Sequence, residues 1–175
     1  MMIDLLTAAP GPEFHIPGST LPVRLARLHG ATSVVRFPAG WERRPRGHYL
    51  AGEEFVILAG ALHVSGVTYA PGHHAWLPAG TLRHDSAAPE GAVALARFAG
   101  PPTWVPSLLD EADGPTVRTP LESVVIPPGG LALSPLSWLR DSPVPLQGSA
   151  EIVTVGTWTW QLSAFMPEGR VLVRA

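Results

Sequence analysis

Two stretches of this 175-residue chain set nitrogen and oxygen donors at regular spacing. The first runs Gly40, five residues, Arg46-Gly47-His48, four residues, Glu53, six residues, Gly60. The second runs Gly72, five residues, Pro78-Ala79-Gly80, three residues, His84. Imidazoles and carboxylates are side chains that ligate metals. The guanidinium of Arg46 cannot ligate one and stays charged, so it suits the clamping of an anion. The chain has no cysteine, which leaves nitrogen and oxygen as the only metal donors and excludes disulfides. No Ser-His-Asp arrangement, phosphate-cradling glycine loop or nucleotide-binding fingerprint stands out.

The elements that must position these residues are short strands. Eighteen glycines and twenty prolines break the chain too often for long helices. Hydrophobic residues make up 46% and charged residues 15%, so a folded domain with a core is expected. Val23–Leu28, Ser33–Phe37, Leu62–Val64, Val67–Tyr69, Ala75–Leu77 and Ala92–Phe98 read as strands. Phe55–Ala59 is apolar at every position, which predicts that both of its faces are covered. Residues 1–20, with Pro10, Pro12 and Pro17, read as an extended arm, either free or packed onto the first half through Phe14 and Ile16. The net charge of −2 argues against nucleic acid or an anionic membrane as partner. No apolar run is long enough to span a bilayer, and Met1–Leu5 does not open a signal peptide, so a cytoplasmic protein is expected.

The two stretches resemble the two sequence motifs of the cupin superfamily. The first motif there is Gly, five residues, His-x-His, three or four residues, Glu, six residues, Gly. The second is Gly, five residues, Pro-x-Gly, two or three residues, His. The one departure is Arg46, which stands where the first histidine would be. A narrower likeness, to the cupin domain of the ChrR anti-sigma factors and their relatives, rests on Gly52–Gly60, Tyr69–Gly72 and the Pro-x-Gly-to-His element. It does not extend to the separate sigma-binding domain of those factors, so an anti-sigma role is not expected.

The resemblance implies an all-β fold, the double-stranded β-barrel (jelly roll) of the cupins. It also implies a metal held by His48, Glu53 and His84: Fe, Mn, Ni or Zn on two imidazoles and a carboxylate. Two readings of Arg46 stay open. It can clamp an anionic substrate beside the metal, as a catalytic residue, or it can pair with Glu53 in a metal-free site. Glu54 should face away from Glu53 on the same strand. Of the pair His73-His74 at most one can enter the site, His74 being the better spare ligand. His15, His29 and His63 read as ordinary strand or loop residues. Tyr49 and Trp76 read either as pocket lining or as core. Arg43, Arg44 and Arg46 read as a solvated loop or as an anion-attracting rim.

The chain then repeats itself. Ser33-Val34-Val35-x-x-Pro38-x-Gly40 recurs as Ser123-Val124-Val125-x-x-Pro128-x-Gly130, Leu58-x-Gly60 as Leu146-x-Gly148, and Pro78-x-Gly80 as Pro167-x-Gly169. The second copy lacks the donors. Leu136-Ser137-Trp138 stands near the place of His48, Asp141 or Ser142 near Glu53, and Val173 opposite His84. A bicupin is therefore expected. Residues 1–100 would form a barrel with a partial metal site, and 101–175 a degenerate half filled by Trp138, Trp158, Trp160 and Phe165. Two functional expectations follow. One is a metal-dependent enzyme of the dioxygenase or isomerase kind, acting on a small oxygenated organic molecule. The other is a ligand-binding or sensing module without turnover, with or without a metal. A homodimer is a further expectation.

Overall fold

Strand ends in this chain are set by glycines that take up left-handed backbone. Gly60 (φ 70°) closes one strand so tightly that a Cβ there would lie 2.2 Å from the carbonyl oxygen of Gly91. A computed structural model describes residues 1–141 and 143–174. They form nineteen strands, all pairing antiparallel where the register is defined, and no helix among the described residues is long and apolar enough to cross a membrane. Contacts divide the chain into two compact units, Ala9–Arg118 and Met1–Ala8 joined with the chain from Thr119 onward. The expected boundary at residue 100 falls inside the larger unit.

The first strand is β1 (Met2–Asp4). The larger unit then supplies β2 (Glu13–Phe14), β3 (Val23–His29), β4 (Thr32–Phe37), β5 (Trp41–Arg43), β6 (Gly47–Tyr49), β7 (Glu53–Gly60) and β8 (Leu62–Val64). It continues with β9 (Val67–Tyr69), β10 (His73–Leu77), β11 (Ser86–Ala88), β12 (Ala92–Phe98) and β13 (Trp104–Pro106). Strand β14 (Val117–Pro120) runs across the boundary between the units. The large sheet has the order β14-β10-β7-β12-β4-β3-β2, beside a four-stranded sheet β5-β11-β8-β9 and the pair β13-β6.

One apolar core joins the two larger sheets of this unit. Val35, Phe55, Ile57, Ala94 and Leu77 come from the large sheet, and Trp41, Leu62, Val64 and Tyr69 from the four-stranded one. Ile16 packs on this core from the chain ahead of β3. On the other face of the central strands Val34, Val56, Leu58 and Leu95 are also buried, so Phe55–Leu58 is covered on both sides as its unbroken apolar run requires.

The smaller unit is a six-stranded sheet in the order β1-β18-β17-β19-β16-β15. Its C-terminal strands are β15 (Leu131–Ser134), β16 (Ser137–Arg140), β17 (Ala150–Thr154), β18 (Thr159–Ser163) and β19 (Val171–Arg174). Its edge strand comes from the other end of the sequence. Met2, Ile3 and Asp4 pair with Gln161, Trp160 and Thr159, and the Leu5 N–H donates to the Trp158 carbonyl (3.0 Å). The first eight residues are thus a sheet edge and not part of a free arm.

Two expectations for the second half are corrected. Ser33–Val35 lies in β4, whereas Ser123–Val125 lies outside any strand, with Val125 85% exposed. What the matched segments share is their turn glycines: Gly40 and Gly130, Gly60 and Gly148, and Gly80 and Gly169 all have positive φ. Trp158 and Trp160 are buried as expected, but Trp138 and Phe165 are exposed. On β16 the neighbours Ser137 and Leu139 turn inward, so alternation turns Trp138 out. Phe165 sits in the bend after β18. Ser142 lies outside the described residues.

Arg170 ties the smaller unit together. Its Nε and Nη2 donate to the two carboxylate oxygens of Asp141 (2.8 and 3.0 Å), and Nη1 donates to the carbonyls of Leu121 (2.8 Å) and Val124 (2.9 Å). That hydrogen bonding holds the Asp141 carboxyl below the usual carboxylate range. Arg170→Met should cost about 1–2 kcal/mol at neutral pH, the size of a partly exposed bidentate pair plus carbonyl contacts. A lowered carboxyl stabilises the fold above the ordinary carboxylate range, and the effect disappears as pH falls through the lowered value. Urea denaturation should therefore show the gap between wild type and Arg170→Met narrowing in acid. A gap that does not change with pH would contradict the role given to Asp141.

Candidate functional site

The site is built where β5, β6, β7 and the turn after Gly80 meet. Strand β6 pairs with β13, setting His48 opposite Val105 and Tyr49 opposite Trp104. The start of β7 places Glu53 between Leu77 of β10 and Phe98 of β12. Arg83 follows the turn and is fixed to Gly47 by two backbone hydrogen bonds, Gly47 N–H to Arg83 O (3.2 Å) and Arg83 N–H to Gly47 O (2.8 Å). Arg43, at the end of β5, pairs with Ser86 of β11.

These elements enclose a cavity of about 330 Å³. Most of its wall is apolar, including Val35, Phe55 and Ala94, and Arg43, Tyr49, Glu53 and Arg83 are the polar residues on which its chemistry turns. The Arg83 Nη1 donates to Glu53 Oε2 at 2.5 Å. Arg83 also stacks on the Tyr49 ring, 4.8 Å from its centroid. The Arg43 guanidinium lies 4.0 Å above the Trp104 ring, and its Nη1 donates to the Tyr49 hydroxyl at 3.0 Å. Both arginines are almost entirely out of water, 5% and 4% exposed. Burial holds the Arg43 guanidinium below its ordinary value, the Tyr49 oxygen opposes that shift, and the charge of Arg83 adds to it. A guanidinium so far above neutrality stays protonated all the same.

The residues singled out from the sequence do not come together. Tyr49 lines the cavity, so its strand neighbour His48 faces the other way. His48 is buried there, its Nε2 3.8 Å from Glu111 Oε2, and its Nδ1 has no hydrogen-bond partner. Of the expected metal set, Glu53 alone lines the cavity, and its partner is a cation already supplied by the chain. His84 lies outside the cavity wall, partly exposed, with Nδ1 2.8 Å from Asp85 Oδ2. The hydrogen bond with His84, aided by the charge of Arg46, holds the Asp85 carboxyl low. Arg46 is exposed, and its carbonyl accepts from the Ser107 N–H at 3.2 Å. The arginine that pairs with Glu53 is therefore Arg83, not Arg46.

Glu54 does face away from Glu53, and it is fully buried with His74, Nε2 to Oε2 3.0 Å. His74 is thereby a partner for that carboxylate and no ligand in the cavity. His73 Nδ1 accepts the Ala70 N–H (3.0 Å), and His63 Nδ1 bonds Thr68 Oγ1 (2.9 Å). Trp76 packs against Gly52, where a Cβ would lie 2.2 Å from its ring, and it does not line the cavity.

A metal of the kind the cupin motifs imply does not fit these side chains. Among the described residues no three His, Cys, Asp or Glu gather where they could hold an ion. The carboxylate nearest to that role is neutralised by Arg83, and a second guanidinium stands in the same wall. Both motifs allow two spacings, and the fold has taken the shorter one in each. With three residues left between it and Glu53 the donor place falls on Tyr49 instead of His48, and with two residues left after Gly80 it falls on Arg83 instead of His84. Gly47 then stands at the first histidine's place, with six residues instead of the motif's five between it and Gly40, and a Cβ there would lie 2.5 Å from the Trp104 ring. That second count was the available signal for Arg83, and it selects the pocket-lining reading of Tyr49 over the core one. Arg43 was legible only as a member of the basic cluster read as a solvated loop or an anion-attracting rim, and Trp41 carried no signal.

No family model matches the chain, and no curated protein matches it either. Solved structures do. A candidate dioxygenase from Nostoc punctiforme superposes with a TM-score of 0.70 at 16% identity, over 99% of this chain and 81% of that one. An acetylacetone dioxygenase from Acinetobacter johnsonii gives 0.46 at 18% identity, over 61% of this chain and 78% of that one. The pirin YhhW from Escherichia coli, in complex with nickel(II), gives 0.48 at 11% identity, over 100% and 93%. At such identities the likeness is one of backbone architecture, and the architecture is the all-β fold of the cupins.

Proposed function

We propose that the larger unit is a metal-independent cupin that takes a small oxygenated organic molecule into its cavity. The observation that carries this reading is the Glu53–Arg83 ion pair at the cavity wall, where the cupin motifs lead one to expect a metal. The volume suits a small organic ligand, with apolar walls for its body and a few placed polar groups for its oxygens. Arg43 and Arg83 would meet negative charge on those oxygens, and fixed cations in a dry site stabilise such charge strongly. The Tyr49 oxygen accepts from Arg43, which leaves its own O–H proton free to be donated to a ligand oxygen. Together these groups bind and polarise a carbonyl or carboxylate. The ChrR-like likeness supports a ligand-sensing use of the same site, and the bicupin reading makes the smaller unit its degenerate companion.

A second reading draws support from the candidate dioxygenase of Nostoc punctiforme, whose backbone this chain shares. On that reading the protein is a metal-dependent oxygenase with His48, Glu53 and His84 as ligands and Arg46 beside them. Each of the three ligands would have to leave the group now beside it: Glu111 for His48, Arg83 for Glu53 and Asp85 for His84. Elemental analysis and titration with Fe(II), Mn(II), Ni(II) and Zn(II) separate the two. The purified protein should carry far less than one equivalent of metal and take up none tightly, and His84→Ala should change neither result. Stoichiometric metal that His84→Ala removes would establish the second reading.

The ion pair itself makes a stability prediction. Arg83→Met leaves a largely buried carboxylate without its cation and should cost about 3–5 kcal/mol, toward the lower end because Glu53 keeps some solvent contact. Adding Glu53→Leu should recover most of that loss, since an apolar pair in the same space has no charge to desolvate. Chemical denaturation of the two single variants and the double variant closes the cycle. Losses that simply add would mean that the two side chains are not coupled.

A further inference from the structure

We infer that the ligand of the cavity is a monocarboxylate, a planar group with one negative charge on a compact apolar body. The inference rests on the small-molecule reading above and adds the charge and the shape. Three charged side chains stand in the cavity wall, Arg43 and Arg83 buried and Glu53 partly so. Two guanidinium groups against one carboxylate leave one unit of positive charge out of water. Arg27 also reaches the wall, but it is exposed and bonded to the Gly30 carbonyl (3.1 Å), so solvent screens it. A buried charge without a counter-charge is costly, and a ligand with one negative charge removes that cost. A neutral ligand would not, and a dianion would reverse the imbalance.

The hydrogen-bonding groups of the wall are compatible with the same charge. Trp41 Nε1, Arg43 Nε and Arg83 Nε are buried with no hydrogen-bond partner, and all three belong to residues that line the cavity. Every one of them is a donor, closed off from the open space of the cavity as the side chains now stand, so an acceptor on a ligand would reach them only through a small shift of the indole or the guanidinium groups. A carboxylate offers two oxygens with about four lone-pair directions and no proton of its own, and its plane matches the fork of a guanidinium. The rest of the wall, with Val35, Phe55 and Ala94, calls for a hydrocarbon body in place of further polar groups.

Calorimetric titration with two carboxylates, benzoate and hexanoate, and their neutral counterparts, benzamide and hexanamide, tests this on the intact protein. At least one carboxylate should bind tenfold or more tightly than its amide. Arg43→Gln, which removes the excess charge, should abolish that preference. Glu53→Gln, which keeps the carboxylate's shape and raises the excess charge by one unit, should preserve or strengthen it, and this arm stands even if Arg43→Gln fails to fold. Amides that bind as tightly as the carboxylates would overturn the monoanion while leaving the small-molecule reading intact. Succinate binding more tightly than hexanoate would overturn it as well. If none of these compounds binds to wild type, both the inference and the reading it rests on are lost.

Discussion

A carboxylate taken out of water needs a cation beside it, and for Glu53 that cation is Arg83. The rest of the site depends on this pair. Arg83 is held by its backbone bonds to Gly47 and by the face of Tyr49, and Tyr49 in turn accepts from Arg43, which rests on Trp104. Each buried charge in the array thus has an ion partner, a hydrogen bond or an aromatic face. A divalent ion brought to Glu53 would have to displace a tethered guanidinium and sit near a second one. In this fold the positive charge is covalently part of the protein.

The same demand appears on the opposite face of β7. Successive residues of a strand point to opposite sides, so Glu53 and Glu54 cannot share a partner. Glu54 is fully buried with His74, while Glu53 looks into the cavity with Arg83. A strand apolar on both faces that begins with two carboxylates therefore has to supply two separate counter-groups. Arg83 is that group for Glu53, and His74 hydrogen-bonds Glu54, so one histidine of the His73-His74 pair is engaged within the sheet and is no ligand in the cavity.

The fold was legible because its signals are local. Turn glycines and prolines at fixed intervals mark where strands end, and those marks do not depend on which side a residue faces. The site was less legible because facing is what decides it. Strand side chains repeat every two residues, so a shift of one residue exchanges inside for outside. The cupin motifs leave one residue of freedom before the glutamate and one before the last histidine, and in this chain a histidine occupies the longer count each time. His48 and His84 therefore matched as letters, while Tyr49 and Arg83 have the positions on the cavity wall. In the second half the same limitation works through Gly130, Gly148 and Gly169, whose turns repeat those of the first half while Ser123–Val125 does not repeat the strand β4. The pairing of β1 with β18 joins opposite ends of the chain, and no local pattern announces it.

Anomalous diffraction from crystals grown in excess nickel(II) bears most directly on the central claim, that a guanidinium takes the place of a metal in this site. Arg83 Nη1 should remain bonded to Glu53, with no anomalous peak at the cavity wall. A nickel peak bound by Glu53 together with His48 and His84, with Arg83 swung aside, would contradict it.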